Sequence, residues 1–455
     1  MDTIIEHGMV VTPEGIEQQD LLIEDGRIVA RTAPGAMADR EVANRIDATG
    51  LHVLPGVIDP HAHFGLGGDE DWAEESKSAV LGGVTTVLNY VMTSGSYQEE
   101  VARELELAGT GSMVDYGFHL CPCMPDHLEQ FDRYVDELGV TSFKYFMHFR
   151  GEEGAYLDIA GSDDSFMFNY LQRAAAHPHV TANIHAENIE VVWRLRQQIE
   201  QGPDDGLVEF EASRPDFVEA EAAFRASMFG SEVGARVYIV HMSSKLGLEA
   251  MAAVRRIYPD AQLFVETCPH YLTHTADTEV GTIAKVNPPL RSSDDREALW
   301  AGIASGAVET VGSDHCARPR SAKETGVWKA SAGMPGAQAI LTVMLSEGHH
   351  KRGLPLETIV KVTAENPARI FGLEGKGRLD PGYDADIVLV DLEEDRVVHD
   401  ATWGSRPGRY NIWEGWTMRG WPVLTMSRGE IIMERGELRA QGGRGRYLTR
   451  AGRPA

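Results

Sequence analysis

The segment GVIDPHAHFG, residues 56–65, places two histidines one residue apart, directly after a short apolar run. In an extended strand, the side chains at positions i and i+2 point to the same side. His61 and His63 are therefore expected to face one point together, while Ala62 faces away. This geometry suits two imidazoles that hold one metal ion, although such pairs also occur as surface or packing residues. The pair alone leaves both interpretations open.

The composition is typical of a soluble globular protein that is large enough for an α/β barrel and a smaller domain. The chain has 455 residues, of which 43% are hydrophobic and 24% are charged. It has no apolar stretch of about 18 residues, so we expect no membrane span. The four cysteines do not suggest a disulfide framework, and the N-terminal segment lacks the features of a secretory signal, which predicts a cytoplasmic location. A net charge of −27 argues against nucleic acid as a partner and fits a small-molecule substrate.

The middle of the chain differs in pattern from its two ends. Both ends carry short apolar runs separated by Gly- and Asp-containing turns, as in TIIEHGMVVTPEG and PVLTMSRGEIIMERGELRA, which predicts antiparallel strands. Between residues 56 and 375, short apolar segments such as RVYIVHMS alternate with helical patterns such as HLEQFDRYVDELG. This alternation predicts a parallel sheet, and its length predicts a closed (β/α)8 TIM barrel.

Further residues with ligand-type side chains lie at or near the ends of other predicted strands. They are Lys144 in SFKYFM, His185 in NIHAEN, His241 in VYIVHMS and Asp314 in VETVGSDHC. A barrel collects its chemistry at the C-terminal ends of its strands, so these side chains are expected on one rim. Each one alone is more often a packing or capping residue. Together with His61 and His63, they are difficult to explain as coincidence.

Lys144 has a chemical interpretation of its own. Imidazoles suit Zn²⁺, with Mn²⁺, Co²⁺ or Ni²⁺ as substitutes, and two such metals need an anionic bridge. Burial among Phe143, Tyr145 and Phe146 makes a lysine lose its proton more easily. The neutral amine can add CO2 to form a carbamate, so we expect Lys144 to be carboxylated and to bridge two divalent metals. Asp314 is then expected to bind one metal and also to handle protons.

These residues lie in motifs that resemble those of the metal-dependent amidohydrolases that open cyclic amides. The motifs extend over nearly the whole chain and include GVIDPHAHF, GGVTTV, SFKYFM, HAEN, VHMSS, ETCPHYL, NPPLR, SDH, TAENPARIFGL and GYDADIVLVD. The C-terminal segment is most similar to the dihydropyrimidinase and hydantoinase branch. The resemblance implies a barrel at residues 56–375 and a small β-sandwich domain formed by residues 1–55 and 376–455. It also implies a homotetramer, for which the Trp-, Tyr- and Arg-rich residues 403–455 are candidate interface residues, unless they pack on their own domain.

The resemblance also implies the reaction and the residues that perform it. A hydroxide that bridges two divalent metals, with Zn²⁺ as the first choice, attacks the carbonyl of a neutral cyclic amide, which can be a hydantoin, a dihydropyrimidine, a cyclic imide or a ureide. Asp314 takes the proton from the hydroxide and delivers it to the leaving nitrogen. The residues that match the family's metal ligands are His61, His63, carboxylated Lys144, His185, His241 and Asp314.

Three positions that are expected to contact the substrate depart from the family pattern. The tyrosine that the family places five residues after the lysine, and whose hydroxyl helps to hold the oxyanion, is Phe149 here. Its neighbours His148 and Arg150 are candidates to replace that hydroxyl, or are both simple loop residues. The family's serine before PPLR is Asn287, and its asparagine in the loop that reads KASAGMPG here is Ala332.

Gly65 stands where dihydroorotases and many allantoinases have a substrate-binding arginine. The missing cation, together with the acidic segment GDEDWAEE at residues 68–75, predicts a neutral substrate. An allantoinase is the alternative enzyme, and a non-catalytic scaffold relative is an alternative of another class. The intact set of metal-ligand positions argues against the scaffold.

Overall fold

The computed structural model describes residues 2–66, 68, 71–151, 154, 163–202, 206–403 and 410–450. The strands before the barrel are β1 (Thr3–Thr12), β2 (Gly15–Glu24), β3 (Arg27–Thr32), β4 (Asn44–Asp47) and β5 (His52–Pro55). The barrel strands are β6 (Val57–Ala62), β7 (Val84–Val91), β8 (Asp115–Leu120), β9 (Ser142–Phe146), β10 (Thr181–His185), β11 (Arg236–Ile239), β12 (Leu263–Thr267) and β13 (Thr310–Val311). The last strands are β14 (Ile387–Val397), β15 (Thr417–Ser427), β16 (Glu430–Glu434) and β17 (Glu437–Leu438).

Helices connect the barrel strands and continue after the last of them. Those between β6 and β10 are α1 (Asp71–Leu81), α2 (Tyr97–Gly111), α3 (Pro125–Glu129), α4 (Phe131–Asp136) and α5 (Asp164–Ala175). Those between β10 and β13 are α6 (Ile189–Ile199), α7 (Leu207–Ser213), α8 (Asp216–Val233), α9 (Lys245–Ile257), α10 (Pro269–Thr273) and α11 (Ser293–Ser305), with a 3₁₀ turn at Gly281–Ala284. After β13 come α12 (Arg320–Lys323), α13 (Ala339–Val343), α14 (Leu356–Val360) and α15 (Asn366–Phe371), with π-helical segments at Met344–His350 and Lys361–Glu365.

Strands β6–β13 form one parallel eight-stranded sheet in chain order, and this sheet is closed. Parallel strands that are covered on both faces are apolar throughout, and every residue of β7 is buried. Ala62 pairs with His315 in a parallel bridge, which joins the end of β6 to the segment after β13. The backbone N–H of His63 donates to the carbonyl of His315 at 2.8 Å. The (β/α)8 barrel predicted from the alternating pattern is therefore confirmed.

Asp59 ties the first and last barrel strands together from inside. Its carboxylate accepts hydrogen bonds from the Ser313 backbone N–H at 3.0 Å, the Ser313 hydroxyl at 2.5 Å and the His61 backbone N–H at 3.1 Å. Burial raises the pKa of Asp59 to about 6. Because Ser313 directly precedes Asp314, these hydrogen bonds fix the positions of His61 and Asp314 relative to each other.

The two chain ends form a second, mixed sheet, as the sequence predicts. The strand order is β17-β16-β15-β14-β5-β1-β2-β3, and β4 pairs with β1. Strand β14 runs antiparallel to β5, so the C-terminal part of the chain is hydrogen-bonded directly to the N-terminal part. A separate apolar core that includes Ile5, Leu21, Ile387 and Met426 supports this sheet. The domain boundaries at 55/56 and 375/376 stay a prediction.

Lys376 joins the two sheets through buried ion pairs. Its ammonium lies 2.6 Å from a carboxylate oxygen of Asp115 on β8, 2.7 Å from one of Asp386 and 3.0 Å from one of Asp384. These three carboxylates lie close enough together to hold a metal ion. Since Lys376, Arg428 at Asp115 and Arg27 at Asp384 together balance the three carboxylates, we interpret the group as an inter-sheet ion cluster.

The C-terminal segment returns to the barrel after β17. Tyr116 donates its backbone N–H to Arg446 and accepts one from Leu448, at 2.9 and 2.7 Å. The guanidinium of Arg450 is buried and donates to the hydroxyl of Ser142 at 2.6 Å. No motif in the sequence predicted this contact.

The aromatic residues proposed for a subunit interface are mostly internal. Trp403, Tyr410, Trp413 and Trp421 are all buried within this one chain. Residues 404–409 and 451–455 lie outside the described residues. The alternative, that these aromatic side chains pack on their own domain, holds for those four residues. In the part of the chain that the structure describes, no helix has the length and apolar character that a membrane span requires.

Candidate metal centre and active site

The six predicted ligand residues meet at the C-terminal ends of the barrel strands. Asp314 Oδ1 lies 3.0 Å from His61 Nε2 and 3.3 Å from His63 Nε2, and Lys144 Nζ lies 3.0 Å from His61 Nε2. The ring centroids of His61 and His241 are 5.3 Å apart, and those of His185 and His241 are 4.5 Å apart. One continuous cluster therefore contains six residues from five regions of the sequence.

Two members of this cluster have an unusual backbone conformation. His241 has a φ of +42° and Asp314 a φ of +49°, in the left-handed region that side chains other than glycine rarely adopt. Such strain persists only where the surrounding structure enforces it, and it is concentrated at functional sites. His241 lies two residues after β11 and Asp314 three residues after β13, where the turn of the chain places both side chains in the cluster.

Glu266 at the end of β12 orients His61. Its Oε1 lies 2.6 Å from His61 Nδ1 and accepts the backbone N–H of His241 at 2.9 Å. Its Oε2 accepts the hydroxyl hydrogen of Tyr238 at 2.7 Å. With Nδ1 engaged, His61 presents Nε2 to Lys144 and Asp314, which is how carboxylates behind metal-bound histidines act. Glu266 is the first residue of the motif ETCPHYL, and the sequence alone predicted no role for it.

Lys144 lies on β9 in a buried, aromatic environment. Its Nζ is 4.2 Å from the centroid of the Tyr90 ring and 4.6 Å from that of Phe146. Within the described residues it forms no ion pair with a carboxylate. Burial lowers the pKa of Lys144, which favours the neutral amine that reacts with CO2. The neighbouring His63 is also held in its neutral form, since burial lowers its pKa to about 4.

Glu187 and Arg214 form a hydrogen-bonded group next to His185. Its Nε2 lies 2.7 Å from Glu187 Oε2, and Arg214 Nη1 donates to the same oxygen at 2.9 Å. Although burial opposes it, the Arg214 guanidinium holds the pKa of Glu187 well below its usual range. Potential ligand atoms of His148, His185 and Glu187 lie within 4.8 Å of one another. Because Arg214 already neutralises Glu187, we interpret this group as support that leaves Nδ1 of His185 for the metal.

A cavity of about 760 Å³ opens above the cluster. Five of the six predicted ligands line it, namely His63, Lys144, His185, His241 and Asp314. The three predicted substrate positions, Phe149, Asn287 and Ala332, line the same cavity. A cleft of this size that ends at a group of convergent polar residues is typical of a small-molecule site.

The structure distinguishes between the two candidates that flank Phe149. His148 is buried and lines the cavity, with its ring centroid 4.0 Å from that of His185 and 4.1 Å from that of Phe149. Its Nδ1 has no hydrogen-bond partner within the described residues. Arg150 instead donates to Glu190 at 2.9 Å and does not line the cavity. Only His148 is therefore placed to contact a substrate.

Lys323 holds two loops of the cavity wall together, a role that the sequence alone did not predict. It is fully buried, and its Nζ donates to the carbonyls of Lys285 at 2.7 Å, Ser331 at 2.8 Å and Gly333 at 2.6 Å. These carbonyls belong to the two loops that carry Asn287 and Ala332. Lys323 thus holds both loops of the cavity wall in one arrangement. The scarcity of lysine, nine among 42 basic residues, was the one available signal.

The described acidic residues of the segment after His63 do not line the cavity. Asp71 accepts the backbone N–H of Gly65 at 2.7 Å, and Glu75 lies 2.7 Å from Nε2 of His315. Asp69 and Glu70 lie outside the described residues. Among the described residues, only Gly65 still supports a neutral substrate, and the neutral substrate stays a prediction.

Comparisons with known proteins agree with this site. The model of the amidohydrolase family matches residues 52–432. An L-hydantoinase of Paenarthrobacter aurescens is 33% identical, over 99% of this chain and 98% of its own. An allantoinase of Deinococcus radiodurans is 34% identical, over 96% of each chain. The crystal structure of a dihydropyrimidinase from Brevibacillus agri superposes with a TM-score of 0.90 at 31% identity, over 100% of both chains.

The chain belongs to the amidohydrolase family, and within it to the cyclic amidohydrolases of the hydantoinase and dihydropyrimidinase type. Family membership and the cluster of histidine and carboxylate groups together define a divalent-metal site.

Proposed function

We propose that this protein is a metal-dependent hydrolase that opens the ring of a small cyclic amide of the hydantoin or dihydropyrimidine type. The observation that carries the proposal is the meeting of six ligand-type residues at the floor of a cavity of about 760 Å³. A cavity of this size accommodates a five- or six-membered ring with a substituent. The relatives with hydantoinase names support the reaction class.

The donor set fits two divalent metals, and we propose Zn²⁺. His61, His63 and Asp314 form one group of potential ligands, and His185 and His241 lie next to it. Nδ1 of His241 is buried without a hydrogen-bond partner in the described residues, as expected of an atom reserved for a ligand. A carbamate on Lys144 would add the anionic oxygens that two cations require. When bound, the metals supply Lewis acidity toward the ring carbonyl and lower the pKa of water.

Asp314 is the proposed proton carrier. Its carboxylate lies on the cavity wall and is held by His61 and His63, so it has a fixed position over the floor. A carboxylate in this place can accept the proton of the attacking water and deliver it to the leaving ring nitrogen. Expulsion of that nitrogen then opens the ring.

His148 is the proposed donor to the oxyanion that develops on the ring carbonyl. Phe149 has no hydroxyl, while His148 lines the same cavity and its buried Nδ1 has no hydrogen-bond partner among the described residues. Burial lowers the pKa of His148 well below its ordinary value, so the ring is neutral and carries one N–H. A neutral imidazole in a water-poor site is an effective hydrogen-bond donor to developing negative charge.

Metal analysis combined with a ring-opening assay tests the proposal. The purified protein should hold close to two divalent metals per chain and hydrolyse hydantoin or dihydrouracil, and chelation should abolish both properties. The double variant His61→Ala/His63→Ala should lose at least one metal. His177→Ala/His179→Ala is a matched control, because this second His-x-His pair lies outside the site. Full activity after complete removal of metal would contradict the proposal.

Allantoin is the second candidate substrate, because the allantoinase of Deinococcus radiodurans is as similar as the hydantoinases. It belongs in the same assay, and preferred hydrolysis of allantoin would decide for this alternative. We also propose a homotetramer and a cytoplasmic location. Since four of the C-terminal aromatic residues are buried in their own chain, the tetramer depends on the family resemblance, and light scattering would test it.

A further inference from the structure

The outer part of the cavity carries an unusual concentration of positive charge. Beyond Lys144, its basic lining residues are Arg196, Arg214, Lys285, Arg318 and Lys329. Among the described residues that line it, Asp314 is the one acid. Acidic residues outnumber basic ones by 69 to 42 in the whole chain, so the cavity has the opposite balance. Three of the nine lysines, at 144, 285 and 329, line this one cavity.

Three of these cations are engaged with groups of the protein itself. Arg214 is paired with Glu187 at 2.9 Å, Arg196 with Glu200 at 2.8 Å, and Lys285 donates to the carbonyl of Ala330 at 2.6 Å. Their positions are therefore fixed, and the carboxylates of Glu187 and Glu200 balance the charge of the two arginines.

Arg318 and Lys329 are different, because neither forms an ion pair with a described residue. Nε of Arg318 is buried and has no hydrogen-bond partner within the described part of the chain. The same holds for Nε1 of Trp328, which also lines the cavity. Buried donors without partners are rare in folded proteins, and each calls for an explanation such as a bound water, ion or ligand.

Aromatic rings lie among these cations. The centroids of Phe210 and Trp328 are 6.3 Å apart. Lys285 Nζ lies 4.8 Å from the Phe210 ring, and Arg196 Cζ lies 5.8 Å from the Trp328 ring. This wall offers apolar contact to a hydrocarbon spacer and charged donors to the group at its end.

We propose that the natural cyclic amide carries a substituent that ends in a carboxylate, and that Arg318, Lys329 and the indole N–H of Trp328 bind this carboxylate. The inference rests on the proposed function, because it assumes that the ring lies at the metal site. Gly65 stands where an arginine would bind a charged group next to the metals, so the ring itself is expected to be uncharged. Arg318 is partly buried and Lys329 is exposed. Charge-assisted hydrogen bonds are stronger than neutral ones, and they select against a neutral group of the same shape. The sequence predicts a neutral substrate; under this proposal the ring is neutral and the substituent is charged.

Two substrates that differ in one charge test the proposal. Metal-loaded protein is assayed with a hydantoin that bears a carboxyethyl substituent and with its carboxamide counterpart. We expect kcat/KM to be at least about tenfold higher for the carboxylate, with most of the difference in KM. Arg318→Gln and Lys329→Ala should each reduce this ratio to below about threefold. Lys361→Ala, at an exposed lysine that does not line the cavity, is the control and should keep the wild-type ratio.

The outcomes separate this inference from the proposed function. Equal kcat/KM values for the two compounds would overturn the carboxylate site and leave the hydrolase intact. A ratio that survives both Arg318→Gln and Lys329→Ala would overturn the assignment of these residues. If no cyclic amide is hydrolysed, the proposed function fails, and calorimetric binding of the two compounds still decides the inference. Preferred binding of the carboxylate supports the site, and equal or no binding refutes it.

Discussion

Replacement of His148 by phenylalanine tests how the protein compensates for the missing tyrosine. The change keeps a planar ring next to Phe149 and removes the N–H of a residue that lines the cavity. His148 is 5% exposed, so bulk water cannot easily take over as donor. Loss of one oxyanion donor lowers kcat by about 100- to 1,000-fold, or roughly 2.7–4 kcal/mol. We expect His148→Phe to reach at least the lower end, with KM changed by less than about threefold.

The assay is steady-state hydrolysis of hydantoin or dihydrouracil by enzyme whose metal content has been measured. His148→Asn keeps a side-chain donor and should retain more activity than His148→Phe. Phe149→Tyr, introduced into His148→Phe, should restore about tenfold in kcat, which corresponds to ~1.4 kcal/mol. In the wild-type background the same change should gain less, because His148 already supplies a donor. The double-mutant cycle measures that coupling directly. Arg150→Gln is the control at the neighbouring position.

Two results would refute the reasoning. The first is a His148→Phe enzyme with full metal content and a kcat within about threefold of the wild type. The second is an activity loss that disappears when metal is restored, which would mean that His148 merely supports His185, whose ring it contacts.

Three further predictions concern residues around the site and between the sheets. Lys144→Ala should lose most of its metal and activity, and short-chain carboxylic acids should restore part of both; an active, metal-loaded Lys144→Ala enzyme would exclude a bridging role. Glu266→Gln should weaken metal binding by about 10- to 100-fold in a chelator competition, because Glu266 orients His61, whereas the exposed Glu249→Gln should match the wild type. Lys376→Met leaves Asp386 without an ion-pair partner among the described residues and removes one cation each from Asp115 and Asp384, which should cost about 3–5 kcal/mol. Thermal unfolding should show a clearly lower Tm, and Asp115→Asn in the same chain should recover part of it; an unchanged Tm would show that the ion cluster does not stabilise the fold.

The sequence by itself determined the barrel and the types of residue on its rim. Alternation of buried strands with amphipathic helices is a local property, so the parallel sheet could be predicted and is confirmed. The i, i+2 spacing of His61 and His63 likewise fixed their common direction before any tertiary contact was known. The two chain ends could be recognised as β-structure, because turn residues and short apolar runs are local signals too. The roles of the six ligand positions came from the family resemblance and stay a prediction.

Only the tertiary structure decided which groups meet these side chains. Glu266 lies 205 residues from His61 in sequence and reaches it because barrel closure brings the end of β6 beside the segment after β13, the neighbour of β12. His148 and Arg150 are separated by one residue, yet one lines the cavity and the other binds Glu190. The basic wall collects Arg196 from α6 and Arg318 and Lys329 from loop segments on either side of α12. Local periodicity determines the direction of a side chain along its own strand or helix, whereas its partners depend on how distant segments pack.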